Sequence, residues 1–314
     1  MSRSEFEFRG YRSEHEIQFK LNGARADRYY IIVEGILDRQ FYSKHFREGV
    51  LSDPDNYRFM DGNTASGEKP VYDVGKAAVL RAYNLVKKNK VANVTLDNSV
   101  FIVDRDYYCG EDDLDGNLFS KMEISQEMMR GINMTPVHSI ESFFLIKENL
   151  QIVFTTLERE DFERFFEQLL VFAKITVDYF FMISLAYVIG SQTGDIYQRS
   201  YNEMDEFGFS MAANRTIKYN EKLIGYEKDN LRHYLLEHDI NKTKLSRMKN
   251  HFSDAPENVQ GHMGMHFLTT YLRNTYPEIG PDIANCESRV RGLAKKIKVN
   301  MTIVNGAGTI VGTD

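Results

Sequence analysis

The sequence predicts an α/β domain, a parallel sheet with flanking helices, followed by a mostly helical domain. Three observations predict it. Short β-branched and aromatic runs alternate with helix-period segments over residues 28–144, the pattern of strands joined by crossover helices. Two of the runs, YYIIV and SVFIV, are almost wholly apolar, as suits strands covered on both faces. From about residue 150 onward, helix-period segments follow one another with no strand between them.

Residues 29–33, YYIIV, form the first strand. Ile36, Leu37, Phe41, Tyr42 and Phe46 then recur at helical spacing. Residues 56–60 read as a short strand, and 62–70 (GNTASGEKP) as a loop by composition. A helix over 74–88 is marked by Val79, Leu80, Tyr83, Leu85 and Val86. SVFIV at 99–103 is the third strand, bounded by Asn98 and Asp104. A polar loop, a short helix at 125–129 and a fourth strand at 135–138 follow, and a helix starts at Ile140. Further helices are expected at 158–189, 195–206, 227–237, 242–251 and 261–275. The last stretch, VNMTIVNGAGTIVGTD, reads as a short strand or hairpin with glycine turns, or a loose end. The expected division is an extension over 1–27, the α/β domain over 28–150, a helical domain over 151–299 and a tail over 300–314.

A chain of 314 residues with 42% hydrophobic content can bury a sizeable core. Cys109 and Cys286 supply neither a disulfide framework nor a zinc pattern, so a reducing cytoplasm is the simplest compartment. The N-terminal stretch lacks the apolar core of a signal peptide. The most apolar stretch, QLLVFAKITVDYFFMISLAYVIG, holds Lys174 and Asp178. It is expected to be a buried helix whose two charged heads pair one turn apart, with no membrane association. Net charge is −6, and both halves are mildly acidic. A nucleic-acid enzyme of this composition needs a metal at its acidic site and local basic patches.

The acids fall in a pattern. Glu34 ends the first strand, in VEGILD, and Asp38 stands four residues on. Asp104 and Asp106 bracket Arg105 after the third strand, in VDRDY. His138 and Glu141 follow the fourth. In parallel α/β sheets the functional crevice lies at the carboxyl ends of the strands. Residues two apart in an extended chain face the same way, so Asp104 and Asp106 are expected to address one point. Asp38 lies one helical turn beyond Glu34. Converging carboxylates repel, and a divalent cation relieves this. Mg²⁺ takes a few carboxylate oxygens, several waters and phosphate, and can activate a water beside a phosphodiester. Alone, the DxD is weak, because an aspartate after a strand is a common turn or cap residue. The VEGxxD in the preceding βα unit adds the specificity.

VEGILD followed by VDRDY resembles the Toprim domain of topoisomerases, primases and OLD-type nucleases, in the same order along the chain. PVHSIESFFL, and more weakly QGHMGMHFLTTYL, resemble further blocks of a Toprim-like nuclease family of bacterial anti-phage defence. That family includes the effector of the PARIS system. The resemblance implies a metal-dependent nuclease using Mg²⁺ (or Mn²⁺), with Glu34, Asp104 and Asp106 catalytic. Glu34, Asp38, Asp104, Asp106 and Glu141 would hold the metal. It also implies a defence effector with an ABC-type ATPase partner, a homodimer when active, and RNA, transfer RNA in particular, as substrate. The alternatives are an OLD-type nuclease acting on DNA, and a non-catalytic Toprim-fold module docking to an ATPase partner.

Weaker signals surround this pattern. Arg105, between the aspartates, could weaken metal binding or grip a phosphate. Lys76 opens a helix but lacks a Walker pattern. Lys244, Arg247 and Lys249 in NKTKLSRMKNH, with ESRVRGLAKKIK further on, are candidates for phosphate contact, although such runs are usually solvated faces. His138 could carry a proton beside Glu141. His262 and His266 share a ligand spacing, but Met263 stands where the HExxH motif needs Glu. EDDLD at 111–115 lacks EF-hand spacing. Phosphatases of the haloacid-dehalogenase type need a Thr-like residue where Tyr108 stands.

Overall fold

The computed structural model describes residues 18–19, 21–46, 57–61, 76–107, 130–193, 208–249 and 252–313. The chain divides into two compact units. The first comprises residues 1–105, 120–136 and 299–314, and the second 106–119 and 137–298. The boundary expected near residue 150 lies inside the helix Lys147–Thr156, and the tail belongs to the first unit. So does the described end of the expected extension. Leu21 is buried there, and the Asn93 side chain donates to Ala24 O at 2.7 Å. Expectations for 62–70, 111–115, 125–129 and 195–206 lie outside the described residues.

In the first unit the order is β1 (Tyr29–Val33), α1 (Ile36–Phe46), β2 (Tyr57–Asp61), α2 (Lys76–Lys87), β3 (Ser99–Val103) and β4 (Asn133–Met134). The strands lie in the order β2-β1-β3-β4, and every pairing is parallel. Alternate residues serve opposite faces. Tyr30, Ile32, Phe101 and Val103 pack with Val79, Tyr83 and Val86 of α2. Ile31, Val33, Val100 and Ile102 on the other face are buried too. β4 ends before the expected strand begins. Thr135 N–H still donates to Val103 O at 3.0 Å, but Pro136 has no N–H with which to extend the ladder.

The second unit opens with a 3-10 turn, Ile140–Leu145, buried throughout. Next come α3 (Lys147–Thr156), α4 (Phe162–Thr193), an antiparallel pair β5 (Ser210–Met211) and β6 (Ile217–Lys218), α5 (Glu221–Glu237), α6 (Lys242–Lys249), α7 (Gly261–Thr275) and α8 (Ile283–Arg291). The Phe162–Ala186 part of α4 is long and apolar enough to cross a membrane, and 67% of its most apolar window is buried inside the protein. It is the core helix of this unit. Phe172 stacks on Phe267 of α7 at 4.3 Å between ring centres. Asp178 does not pair with Lys174, which is solvent-exposed. Its carboxylate instead meets Lys228 at 2.7 Å, with Arg232 and Lys249 each at 3.5 Å. Tertiary packing brings Lys228 and Arg232 of α5 and Lys249 of α6 to the carboxylate. Burial opposes the charged form of Asp178, and the hydrogen bond and charge of Lys228 outweigh it, so its pKa lies below the ordinary value.

The tail forms a hairpin, β7 (Thr302–Val304) with β8 (Ile310–Thr313). It is held to the sheet of the first unit by Asn133. That side-chain amide donates to Phe101 O at 2.9 Å and to Val304 O at 2.8 Å, and its oxygen accepts from Val304 N–H at 2.7 Å. Gly306 N–H donates to Ser99 O at 2.7 Å.

Candidate functional site

The strand order reverses between β1 and β3. From β1 the chain steps outward to β2, then returns across to β3 on the other side. Such a reversal opens a crevice outside the carboxyl ends of the two strands, where open α/β sheets bind ligands. Glu34 is the first residue after β1, and Asp104 the first after β3. Glu34 Oε1 accepts the Asp104 N–H at 2.8 Å, so the Glu34 carboxylate sits at the end of β3. An amide bonded to an anion is among the stronger hydrogen bonds. Both residues are half-buried. Asp38 lies in the first turn of α1, with Oδ2 3.4 Å from where a Cβ on Gly35 would stand. Its carboxylate is therefore folded back over the turn that follows Glu34, where the helix dipole favours negative charge.

Beyond Val103 the ladder stops, and side chains hold the turn. Arg105 N–H donates to Thr135 Oγ1 at 2.9 Å. Asp106 departs from the expected geometry: its φ is +49°, in the left-handed region, so the two-residue alternation of an extended chain does not reach it. It belongs to the second unit. There its N–H donates to His138 O at 2.8 Å, and Oδ1 lies 3.9 Å from His138 Nδ1. The following ring, Tyr107, is buried edge-on against His138 at 4.6 Å, with its hydroxyl donating to Asn258 O.

Glu141 is buried in the second unit. Oε1 meets the Arg291 guanidinium at 3.0 Å and lies 3.8 Å from His262 Nδ1, while Ser139 Oγ donates to Oε2 at 2.9 Å. Burial works against its charge. The His262 imidazole, the Arg291 guanidinium and the Ser139 hydroxyl outweigh that penalty and hold its pKa below the usual carboxylate value. Arg291, from the basic stretch read as a phosphate surface, is thus engaged inside the unit, and it also meets Glu287 at 2.7 Å. Sequence reasoning missed this pairing because the partners lie 150 residues apart, and no periodicity links them.

Of the candidate cations, Lys76 opens α2. Lys244 N–H is capped by Asn241 Oδ1 at 3.0 Å. Arg247 is exposed on α6. Lys249 is held 3.1 Å from Asp254 as well as beside Asp178. Burial pushes the Cys286 thiol up to about 11, which leaves it protonated and without a nucleophile's thiolate at neutral pH.

Among the described residues no three His, Cys, Asp or Glu side chains gather as a metal-holding group. What the first unit brings together is the Glu34 carboxylate and the backbone amide of Asp104. No family model, curated protein or solved structure matches the chain.

Proposed function

We propose that this chain is a Toprim-like, Mg²⁺-dependent nuclease that hydrolyses phosphodiester bonds of nucleic acid. The observation that carries the reading is the contact between Glu34 and the Asp104 amide at the β1/β3 reversal. There the carboxylate that closes one strand reaches the backbone of the acid that closes another, at the edge where open α/β sheets bind ligands. Glu34 and Asp104 would hold the ion, with Asp38 from the adjoining turn. A bound Mg²⁺ supplies water activation and charge neutralisation at the phosphate. The resemblance of VEGILD and VDRDY to Toprim nucleases extends the reading to a cytoplasmic anti-phage effector. Its RNA substrate, ABC-type ATPase partner and homodimeric active form rest on that resemblance alone.

One observation favours a second reading, a non-catalytic docking module: no three-ligand group forms among the described residues. The two readings part in one experiment. The purified chain is incubated with mixed RNA and DNA plus Mn²⁺, alone and after release from any co-purifying partner. The nuclease reading expects cleavage that Glu34→Gln reduces by about 100-fold or more, in the range of lost acid–base catalysis. Wild-type protein that neither cleaves nor shows a rise in thermal midpoint with millimolar Mn²⁺ favours the docking module.

A further inference from the structure

We propose that Thr135 is a positioning residue for Asp104; the inference rests on the nuclease reading. Asp104 follows β3, so no strand ladder fixes its backbone. Hydrogen bonds to Glu34 and Thr135 do so instead. The peptide before it is held twice, by Thr135 N–H on Val103 O at 3.0 Å and by Glu34 Oε1 on Asp104 N–H at 2.8 Å. The peptide after it is held by Arg105 N–H on Thr135 Oγ1 at 2.9 Å. Thr135 therefore grips both peptide groups that set the direction of the Asp104 side chain.

Thr135 suits the task. It is 1% exposed, so water does not compete for its hydroxyl. Its β-branched side chain is stiff about χ1. Pro136 restricts its backbone to extended conformations. Its role is therefore that of a positioning residue, exerted through the peptides on either side of Asp104. A misplacement of about 1 Å at a reacting group can cost about 100-fold in rate, so a rigid clamp on an otherwise irregular turn has a direct chemical consequence.

The test compares Thr135→Val, which keeps the shape and the N–H but loses the acceptor oxygen, with Thr135→Ser, which keeps the oxygen. Mn²⁺ affinity is measured by electron paramagnetic resonance on the full chain, with cleavage rate and thermal midpoint alongside. Mn²⁺ binding at least about 10-fold weaker in Thr135→Val, restored to within about 3-fold by Thr135→Ser, supports the role. Thr135→Ala replaces Thr135→Val if the latter does not fold. Wild-type Mn²⁺ affinity in the variant lacking the hydroxyl overturns the role and leaves the nuclease reading standing, even if the midpoint has dropped. Absence of Mn²⁺ binding by the wild type overturns both.

Discussion

At Asp161, immediately before α4, two phenols meet one carboxylate. Tyr271 Oη donates to Oδ2 at 2.5 Å, and Tyr276 Oη donates to Oδ1. Burial first, and then Asp161, raise the Tyr276 pKa to about 12 and raise that of Tyr271 too. Both folded values lie above the unfolded value of 10, so the folded state holds these protons more tightly. The resulting stability is complete below pH 10 and is lost as pH climbs from 10 toward 12. Asp161→Asn should flatten that alkaline decline in thermal midpoint. Glu141 behaves in the opposite sense. Its folded pKa lies below the 4.5 of an ordinary glutamate, so its contribution is present above pH 4.5 and disappears as pH falls through the folded value. Glu141→Gln should lower the midpoint at neutral pH, and the two proteins should converge in acid. Glu34 and Asp104 were legible in the sequence, because each directly follows an apolar run. The surroundings of Glu141 were not, since beyond the neighbouring Ser139 its partners are His262 on α7 and Arg291 on α8.

The two weaker sequence blocks prove to be packing partners. PVHSIESFFL supplies the 3-10 turn, and QGHMGMHFLTTYL supplies α7. Gly261 and Gly264, one helical turn apart, let them approach. A Cβ on Gly261 would stand 1.8 Å from Ser139 Oγ, and one on Gly264 would stand 2.2 Å from Leu145 Cδ1. Gly261→Ala should therefore push Ser139 off Glu141 and cost about 1–3 kcal/mol, the range for overpacking a tight contact. Chemical denaturation measures this, and a change below about 0.5 kcal/mol would show that the hydroxyl swings aside freely. Helix periodicity placed α2 and α7 to within two residues of their ends, and found α5 only from residue 227, six residues after it starts at Glu221. The helix expected to start at Ile140 does start there, but as a 3-10 turn, Ile140–Leu145, in which every residue is buried.

Across the whole molecule, the last residues complete the first unit. The hairpin β7–β8 docks through Asn133, whose side-chain amide takes the place of a strand edge for Val304, and through Gly306. A Cβ on Gly131 would lie 2.3 Å from Gly306 O, so backbone meets backbone there. Deleting residues 299–314 should strand the buried Asn133 amide and lower the unfolding midpoint of this unit, by about 4 °C for each kcal/mol lost. An unchanged midpoint would mean that the hairpin merely rests on the sheet. The sequence by itself determined the parallel α/β order, the helical character of the second half and the placing of Glu34 and Asp104 at strand ends. Those features are local, written in apolar periodicity and in the polar residue that closes each run. Tertiary structure alone decided the strand order that brings β1 beside β3, the return of the tail and the partners of Asp178 and Glu141. It also gave Asp106 its left-handed turn. Each of these depends on contacts between residues far apart in the chain, where geometry selects the partner and local pattern carries no trace of it.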